Sequence, residues 1–183
     1  MIDVEALYAD ACRTPSDINQ HIPTLRRYAE ACQHVTEFGV RGGVSTRGLL
    51  AAAPQVYRGY DLQPAPLMLR DMAEAVGVDY HHTAGDVLVA DIDPTDLLFI
   101  DTLHNEQQLA SELARHAHKA RRFILLHDTH TFGRRDETGT GGGLWAALRP
   151  WLATNGGWQV IAEYTHNNGL TVLAREEVVL CHT

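Results

Sequence analysis

A glycine-rich turn at residues 36–46 constrains the fold of this chain more than any other stretch. An apolar segment with the pattern of a strand ends near Glu37, and the glycine turn follows it. A helix is predicted to begin at Ser45 or Thr46. Glycine lacks a Cβ and tolerates positive φ, so such a turn lets a ligand approach the backbone. The following helix offers free N–H groups and the positive end of its dipole. Nucleotide-like cofactors bind at turns of this kind in α/β sheets, and the alternative is a tight turn that binds nothing.

Short apolar strands alternate with amphipathic helices along the rest of the chain. The pattern predicts an α/β fold with a doubly wound, mostly parallel sheet, because strands and helices follow one another in turn. Two helices, at 3–13 and 19–33, precede the sheet, and Asn168-Gly169 indicates an antiparallel hairpin at its end. The predicted strands are seven: 34–38, 56–61, 79–83, 96–101, 122–128, 158–164 and 170–175.

Length and composition indicate a single domain, since 183 residues with 45% apolar and 21% charged residues have an ordinary globular balance. We expect a helical cap at 1–33 and a cofactor-binding core at 34–175 within one domain spanning 1–183. The formal net charge of −8 argues against binding to a nucleic-acid backbone.

Targeting signals and cysteine usage favour a cytoplasmic protein without a membrane partner. No apolar run is long enough to cross a bilayer, and the acidic N-terminus lacks a signal-peptide pattern. Three scattered cysteines are interpreted as reduced thiols rather than a disulfide framework or a zinc site. They are Cys12, Cys32 and Cys181.

Polar side chains follow five of the predicted strands. The carboxyl ends of the strands in a doubly wound sheet face one crevice, so these side chains are expected to converge there. Asp61 is placed to accept both hydroxyls of a ribose, and Asp86 to face an adenine amino group; for each, the alternative is a capping or turn-forming acid. The strand-end residues are Glu37, Asp61, Asp86, Asp101 with His104, and His127-Asp128 with His130.

Two of these acids, Asp101 and Asp128, end neighbouring central strands and should repel each other. A divalent cation between them would resolve the repulsion. Oxygen ligands suit Mg²⁺, whereas His127 or His130 would also admit Mn²⁺, Fe²⁺ or Zn²⁺. The alternative is a metal-free pair in which one acid is neutral or hydrogen-bonded to the backbone. An imidazole at His104 could take a proton from a substrate hydroxyl, unless it is a solvent-facing residue at a helix start.

Together these residues resemble the class I S-adenosylmethionine-dependent methyltransferases. The turn is similar to that family's first motif, which implies that Glu37, Gly39, Gly43 and Ser45 bind the methionine part of the cofactor. Asp61 matches the ribose-binding acid, and we add Asp86 to the cofactor-binding set. The implied fold is the Rossmann-like methyltransferase fold.

A narrower resemblance concerns the acids. Asp101 and Asp128 are similar to the metal-binding acids of catechol O-methyltransferase-like enzymes. Asp101 and His104 form an Asp-x-x-His pattern closer to the macrocin-type sugar O-methyltransferases, in which the histidine serves as base, and the cephalosporin-hydroxylase-like group shares the layout. Two positions depart from these patterns: Thr129 replaces an asparagine after the second acid, and His127 replaces an acid before it.

The resulting hypothesis is a divalent-metal-assisted O-methyltransferase that uses S-adenosylmethionine and acts on a hydroxyl of a small molecule or sugar. His104 and Asp101 are the predicted catalytic residues, and Asp101, Asp128 and His127 the predicted ligands of the metal, with Mg²⁺ favoured. The alternatives are a metal-dependent hydrolase or oxygenase on the same fold and a non-catalytic cofactor-binding module. The acceptor stays open, and a homo-oligomer could complete its site.

Overall fold

The computed structural model describes residues 2–180. Its strands are β1 His34–Phe38, β2 Val56–Asp61, β3 Asp79–Ala84, β4 Thr95–Ile100, β5 Ala120–His127, β6 Trp158–Tyr164 and β7 Leu170–Arg175. Its helices are α1 Val4–Arg13, α2 Ile22–Ala29, α3 Val44–Ala51, α4 Leu67–Val76, α5 Glu106–His116, α6 Leu144–Thr154 and α7 Glu176–Leu180. Short 3-10 turns at Asn19–His21 and Ala117–Lys119 lead into α2 and β5.

The strands form one sheet in the order β3-β2-β1-β4-β5-β7-β6. The first five strands in this order run parallel to one another, and β7 runs antiparallel to both β5 and β6. The chain reverses between β6 and β7 through Asn167, Asn168 and Gly169, which all have positive φ. The predicted doubly wound sheet, with its seven strands and terminal hairpin, is therefore confirmed.

Helices cover both faces of the sheet, and this explains the continuous apolar runs of the central strands. Leu97 and Phe99 of β4 point into a core shared with α1, α2, α3 and α4. Leu98 and Ile100 alternate to the opposite face, where α5 and α6 supply the packing partners. The side chains of Trp145 and Trp151 on α6 are partly buried against this second core.

Some predicted boundaries differ from the structure. The second N-terminal helix begins as a 3-10 turn and its α-helical part ends at Ala29 rather than residue 33. The short C-terminal helix α7 was not predicted. Cys12 and Cys32 are free thiols, whereas Cys181 lies outside the described residues. Among residues 2–180, no helix combines the length and apolar character that a membrane crossing requires.

The backbone at Gly39, directly after β1, packs closely on the backbone at the end of β4. Its φ is +87°, and its N–H donates to the carbonyl of Tyr60 at 2.8 Å. A Cβ built on Gly39 would lie 1.8 Å from the carbonyl oxygen of Asp101, so a side chain cannot fit without moving one strand. Close backbone approach therefore requires glycine here, whereas a Cβ on Gly42 would meet nothing within 4 Å.

We predict that Gly39→Ala lowers the free energy of unfolding by about 2–4 kcal/mol, because it adds a backbone clash to a left-handed conformation. Chemical denaturation measures the loss. Gly42→Ala is the matched control in the same turn, with an expected change of less than about 1 kcal/mol. Equal effects of the two substitutions would contradict the geometry.

Candidate active site

A cavity of about 780 Å³ lies at the carboxyl ends of the parallel strands, as the topology of an open α/β sheet predicts. Seven of the ten predicted site residues line it: Gly39, Ser45, Asp61, Asp86, Asp101, His104 and Asp128. The remaining three, Glu37, Gly43 and His127, are not part of its wall.

Asp61 is fixed beside the glycine turn by backbone donors. Its Oδ2 accepts the N–H of Arg41 at 2.7 Å, and its Oδ1 accepts the N–H of Gln63 at 2.8 Å. Each carboxylate oxygen has further acceptor capacity, so the acid remains able to bind hydroxyl groups in the cavity.

Asp86 forms a turn and also lines the cavity. Its Oδ1 accepts the N–H of Leu88 at 2.8 Å, which is the local turn-forming role considered for it from the sequence. The side chain is exposed, so this turn still leaves carboxylate capacity toward a ligand.

Glu37, predicted to bind the methionine part of the cofactor, lies fully buried beneath the turn, and that contact stays a prediction. The hydroxyls of Ser45, Thr46 and Tyr57 all donate to its carboxylate, with Thr46 Oγ1 at 2.7 Å. Burial raises the pKa of Glu37 to about 7, against the opposing effect of these hydrogen bonds. The acid therefore ties β1, α3 and β2 together below the site.

Gly43 is likewise turned away from the cavity. It precedes α3 with a φ of +74°, and a Cβ on it would lie 2.7 Å from the side chain of Leu69. Its role is to let α3 begin closely packed on α4. Gly42, which the sequence did not single out, lines the cavity in its place.

Asp101, His104 and Asp128 form a compact cluster on the cavity wall. His104 Nε2 lies 2.7 Å from Asp128 Oδ2 and 3.6 Å from Asp101 Oδ1. One ligand atom from each residue falls within 4.8 Å of the others, which is the spacing of a metal-binding group. The expectation that these two acids meet at one rim of the sheet is met.

The histidines dominate the electrostatics of this cluster. Burial raises the pKa values of Asp101 and Asp128, but hydrogen bonds with His104 and His127 outweigh burial and hold both carboxyl pKa values below their ordinary range. Burial lowers the pKa of His104, yet the two acids raise it to about 9. In the absence of a cation, the ring of His104 is therefore protonated at neutral pH.

His127, the third predicted metal ligand, is buried beside the two acids and lies outside the group formed by Asp101, His104 and Asp128; its role as a ligand stays a prediction. Its Nδ1 lies 3.2 Å from Asp101 Oδ1 and 3.1 Å from Asp128 Oδ2, and its side chain is 1% exposed. Its other ring nitrogen faces the carbonyl of Asn167 at 3.2 Å. The two acids raise the pKa of His127 to about 10, against burial.

Two features of the cluster fit a divalent cation. Asp128 Oδ1 is buried without a hydrogen-bond partner, and Asp128 itself adopts a φ of +62°, a strained conformation for a residue other than glycine. Such an unpaired buried acceptor needs a partner, and carboxylate oxygens with an imidazole nitrogen suit Mg²⁺ or Mn²⁺.

Glu137 completes the surroundings of His104 and was not found from the sequence. Its Oε1 lies 2.8 Å from His104 Nδ1 and accepts the backbone N–H of His104 at 3.0 Å. Metal-binding histidines commonly have a carboxylate at the second ring nitrogen, which orients the ring. The ring of Phe132 stacks on His104 at 4.7 Å. Glu137 and Phe132 both belong to the loop after β5, and no pattern in the sequence predicts the path of that loop.

A second buried acid lies behind the cavity wall. Glu112 Oε1 accepts Thr102 Oγ1 at 2.6 Å and Gln108 Nε2 at 2.9 Å, and Gln108 lines the cavity. Burial raises the pKa of Glu112 to about 7. A helix spacing of four residues between Gln108 and Glu112 is a sequence signal that could have suggested this pair.

The buried position of Glu37 generates a pH prediction. Its folded pKa of about 7 exceeds the ordinary value of 4.5, so its contribution to stability is fully present below about pH 4.5 and is lost as pH rises through about 7. We expect the free energy of unfolding to fall, relative to that of Glu37→Gln, by on the order of 2–3 kcal/mol between about pH 5 and pH 8.

Denaturation at several pH values measures this difference. The exposed Glu74 on α4 provides the control, because Glu74→Gln should give a difference from the unaltered protein that is flat over the same range. A flat difference for Glu37→Gln as well would show that the carboxyl group does not titrate as its burial requires.

Comparison with solved structures identifies the fold. The cofactor-bound protein Rv0187 from MTB superposes with a TM-score of 0.63 at 21% identity, covering 94% of this chain and 87% of that one. The O-methyltransferase TomG from Streptomyces achromogenes, in complex with S-adenosylmethionine, gives 0.64 at 16% identity, with 96% and 90% covered. No protein-family model and no curated protein matches the sequence.

A third structure shows that the fold does not fix the acceptor atom. The N-methyltransferase NodS from Bradyrhizobium japonicum, in complex with S-adenosylhomocysteine, gives a TM-score of 0.63 at 11% identity, covering 94% of this chain and 98% of that one. At these identities the likeness concerns architecture. The chain has the Rossmann-like fold of the S-adenosylmethionine-dependent methyltransferases.

Proposed function

We propose that this protein is an S-adenosylmethionine-dependent O-methyltransferase assisted by a divalent cation. One observation carries the proposal: the cluster of Asp101, His104 and Asp128 opens onto the same cavity as the glycine turn and Asp61. A cofactor site and a reaction centre therefore share one space. The acceptor is a hydroxyl group of a small molecule or sugar.

The cavity fits the cofactor in size and chemistry. Its volume of about 780 Å³ lies within the usual range of small-molecule sites, roughly 300–1,000 Å³. Gly39 exposes bare backbone to it, and Asp61 has carboxylate capacity left for a ribose. Ser45, although it lines the cavity, donates its hydroxyl to Glu37, so we assign it to the support of the turn rather than to direct side-chain recognition.

The chemistry needs an activated acceptor oxygen beside an electrophilic methyl group. S-adenosylmethionine supplies that methyl on a sulfonium sulfur. In that transfer the acceptor oxygen would bond to the methyl carbon as the carbon–sulfur bond breaks. S-adenosylhomocysteine would leave as the neutral thioether, and the hydroxyl proton would pass to water. Asp101, His104 and Asp128 would hold a divalent cation, which lowers the pKa of a coordinated hydroxyl. Positioning of the two reactants by the cavity walls supplies much of the remaining rate.

His104 can serve the cluster in one of two ways. Its Nε2 faces both acids, and this one nitrogen has a single lone pair that either binds a cation or accepts a proton. Glu137 Oε1 lies 2.8 Å from Nδ1 without forming a hydrogen bond to it. Because metal-binding histidines commonly have a carboxylate on this side of the ring, we favour the ligand role over the base predicted from the sequence.

The sequence feature that supported a hydrolase or oxygenase does not form a common site in the structure. It depended on a His-Asp-His set within residues 127–130. His127 is committed between the carboxylates, and His130 is exposed, with its backbone N–H bonded to the carbonyl of Asn168.

Calorimetry with S-adenosylhomocysteine and Mn²⁺ tests the proposal without a known acceptor. The unaltered protein should bind both. Asp128→Asn and His104→Ala should weaken Mn²⁺ binding by about tenfold or more while leaving S-adenosylhomocysteine affinity within about threefold, because they remove ligands from the cluster and not from the cofactor region.

Asp71→Asn, on the exposed face of α4, is the control and should change neither affinity. Full retention of Mn²⁺ affinity by His104→Ala would return His104 to the role of base. Failure of the unaltered protein to bind S-adenosylhomocysteine would contradict the proposed function.

Glu137→Gln provides a separate prediction. Loss of the charge beside Nδ1 should weaken Mn²⁺ binding by roughly tenfold through the orientation and basicity of His104. Glu163→Gln on the exposed side of β6 is the control. Unchanged Mn²⁺ affinity in Glu137→Gln would show that the loop after β5 does not support the cluster.

A further inference from the structure

The wall of the cavity is strongly acidic, and one arginine, whose side chain is largely exposed, also lines it. Six carboxyl groups line it: Asp17, Asp61, Asp86, Asp101, Asp128 and Glu137. Among the lining residues that the structure describes, Arg41 is the only lysine or arginine. An anionic group on a ligand would meet repulsion along most of this wall. Apart from the cluster around His104, Arg41 is where a carboxylate gains a cationic partner among the described lining residues.

The strand order fixes where Arg41 lies along the cavity. The turn that carries Arg41 follows β1, which lies between β2, ending at Asp61, and β4, followed by Asp101. A ligand whose ribose reaches Asp61 and whose reactive methyl faces Asp101 must therefore place its sulfur in front of the β1 turn. The amino-acid part extends from that sulfur, so it lies nearest to Arg41.

The backbone of Arg41 is held in an unfavourable conformation for a residue with a side chain. Its φ is +45°, in the left-handed region that glycine prefers, and its N–H is fixed by Asp61 Oδ2. Glycine would avoid this cost of about 1–3 kcal/mol. A strained arginine on a cavity wall therefore points to a function for its side chain.

The guanidinium retains donors for a ligand. Its Nη2 reaches both carboxylate oxygens of Asp17, at 2.8 and 3.1 Å. Within residues 2–180, the structure shows no hydrogen bond from Nε or Nη1 of Arg41, so an edge of the planar group stays free. Arginine binds carboxylates through such paired N–H groups.

We propose that Arg41 binds the carboxylate of the methionine part of the cofactor and makes the site select ligands that carry this amino-acid group. The inference rests on the proposed function, because it requires an S-adenosyl ligand in the cavity. It assigns to Arg41 a contact that the glycine turn and the start of α3 would otherwise have to supply alone.

Two ligands that differ in the amino-acid part test the inference. S-adenosylhomocysteine carries it, and 5′-methylthioadenosine keeps the adenosine and the sulfur without it. Calorimetry should show that Arg41→Met weakens S-adenosylhomocysteine binding by about tenfold or more, since a hydrogen-bonded charge pair is lost. Binding of 5′-methylthioadenosine should stay within about threefold, which also shows that the variant is folded.

Two further variants separate direct from indirect effects. Arg41→Lys keeps the charge at the same backbone position and should lose less S-adenosylhomocysteine affinity than Arg41→Met. Asp17→Asn removes the ion pair but keeps the guanidinium, and should leave this affinity within about threefold. A loss in Asp17→Asn as large as that in Arg41→Met would overturn the inference, because the order of the N-terminal segment would then explain it.

Other outcomes also decide between the two proposals. Equal losses of both ligands in Arg41→Met, or no loss of either, would overturn the role of Arg41 and leave the proposed function standing. Binding of neither ligand by the unaltered protein would overturn the proposed function and this inference together.

Discussion

Repulsion between two carboxylates at the ends of neighbouring strands organises the centre of this site. Parallel pairing of β4 and β5 brings Asp101 and Asp128 together, and their charges must be balanced. His127 balances them from the buried side, where its side chain is 1% exposed. The cavity side is open to His104 and to ligands. The cluster thus combines one buried charge partner, His127, with a side that opens onto the cavity.

The neighbouring half of the cavity depends on packing beneath the turn. Glu37 gathers three hydroxyls from α3 and β2, and Gly39 brings β1 against the carbonyl of Asp101. These contacts fix the distance between the glycine turn and the acid cluster. Glu37 supports the turn from below without lining the cavity, whereas Gly39 both supports the turn and lines the cavity. Buried supporting positions such as Glu37 explain why only part of the predicted first motif lines the cavity.

Much of this could be predicted because it follows from strand order. The apolar runs before Asp101 and Asp128 predict buried parallel strands, and parallel strands bring their carboxyl ends to one rim. Side-chain direction is harder to predict. Whether Glu37 faces upward to a ligand or downward to Tyr57 depends on packing that one sequence does not report. The contact of Glu137 with His104 depends on the path of a long loop, and strand periodicity carries no information about it.

The central claim is that a cation site and an adenosyl site share one rim of the sheet. A crystal of the protein grown with S-adenosylhomocysteine and Mn²⁺ tests it most directly, through anomalous scattering at the manganese edge. The account predicts an anomalous peak bound by Asp101, His104 and Asp128, with the ligand's sulfur between that peak and the end of β1. A peak elsewhere, or a ligand away from the carboxyl ends of the strands, would contradict it.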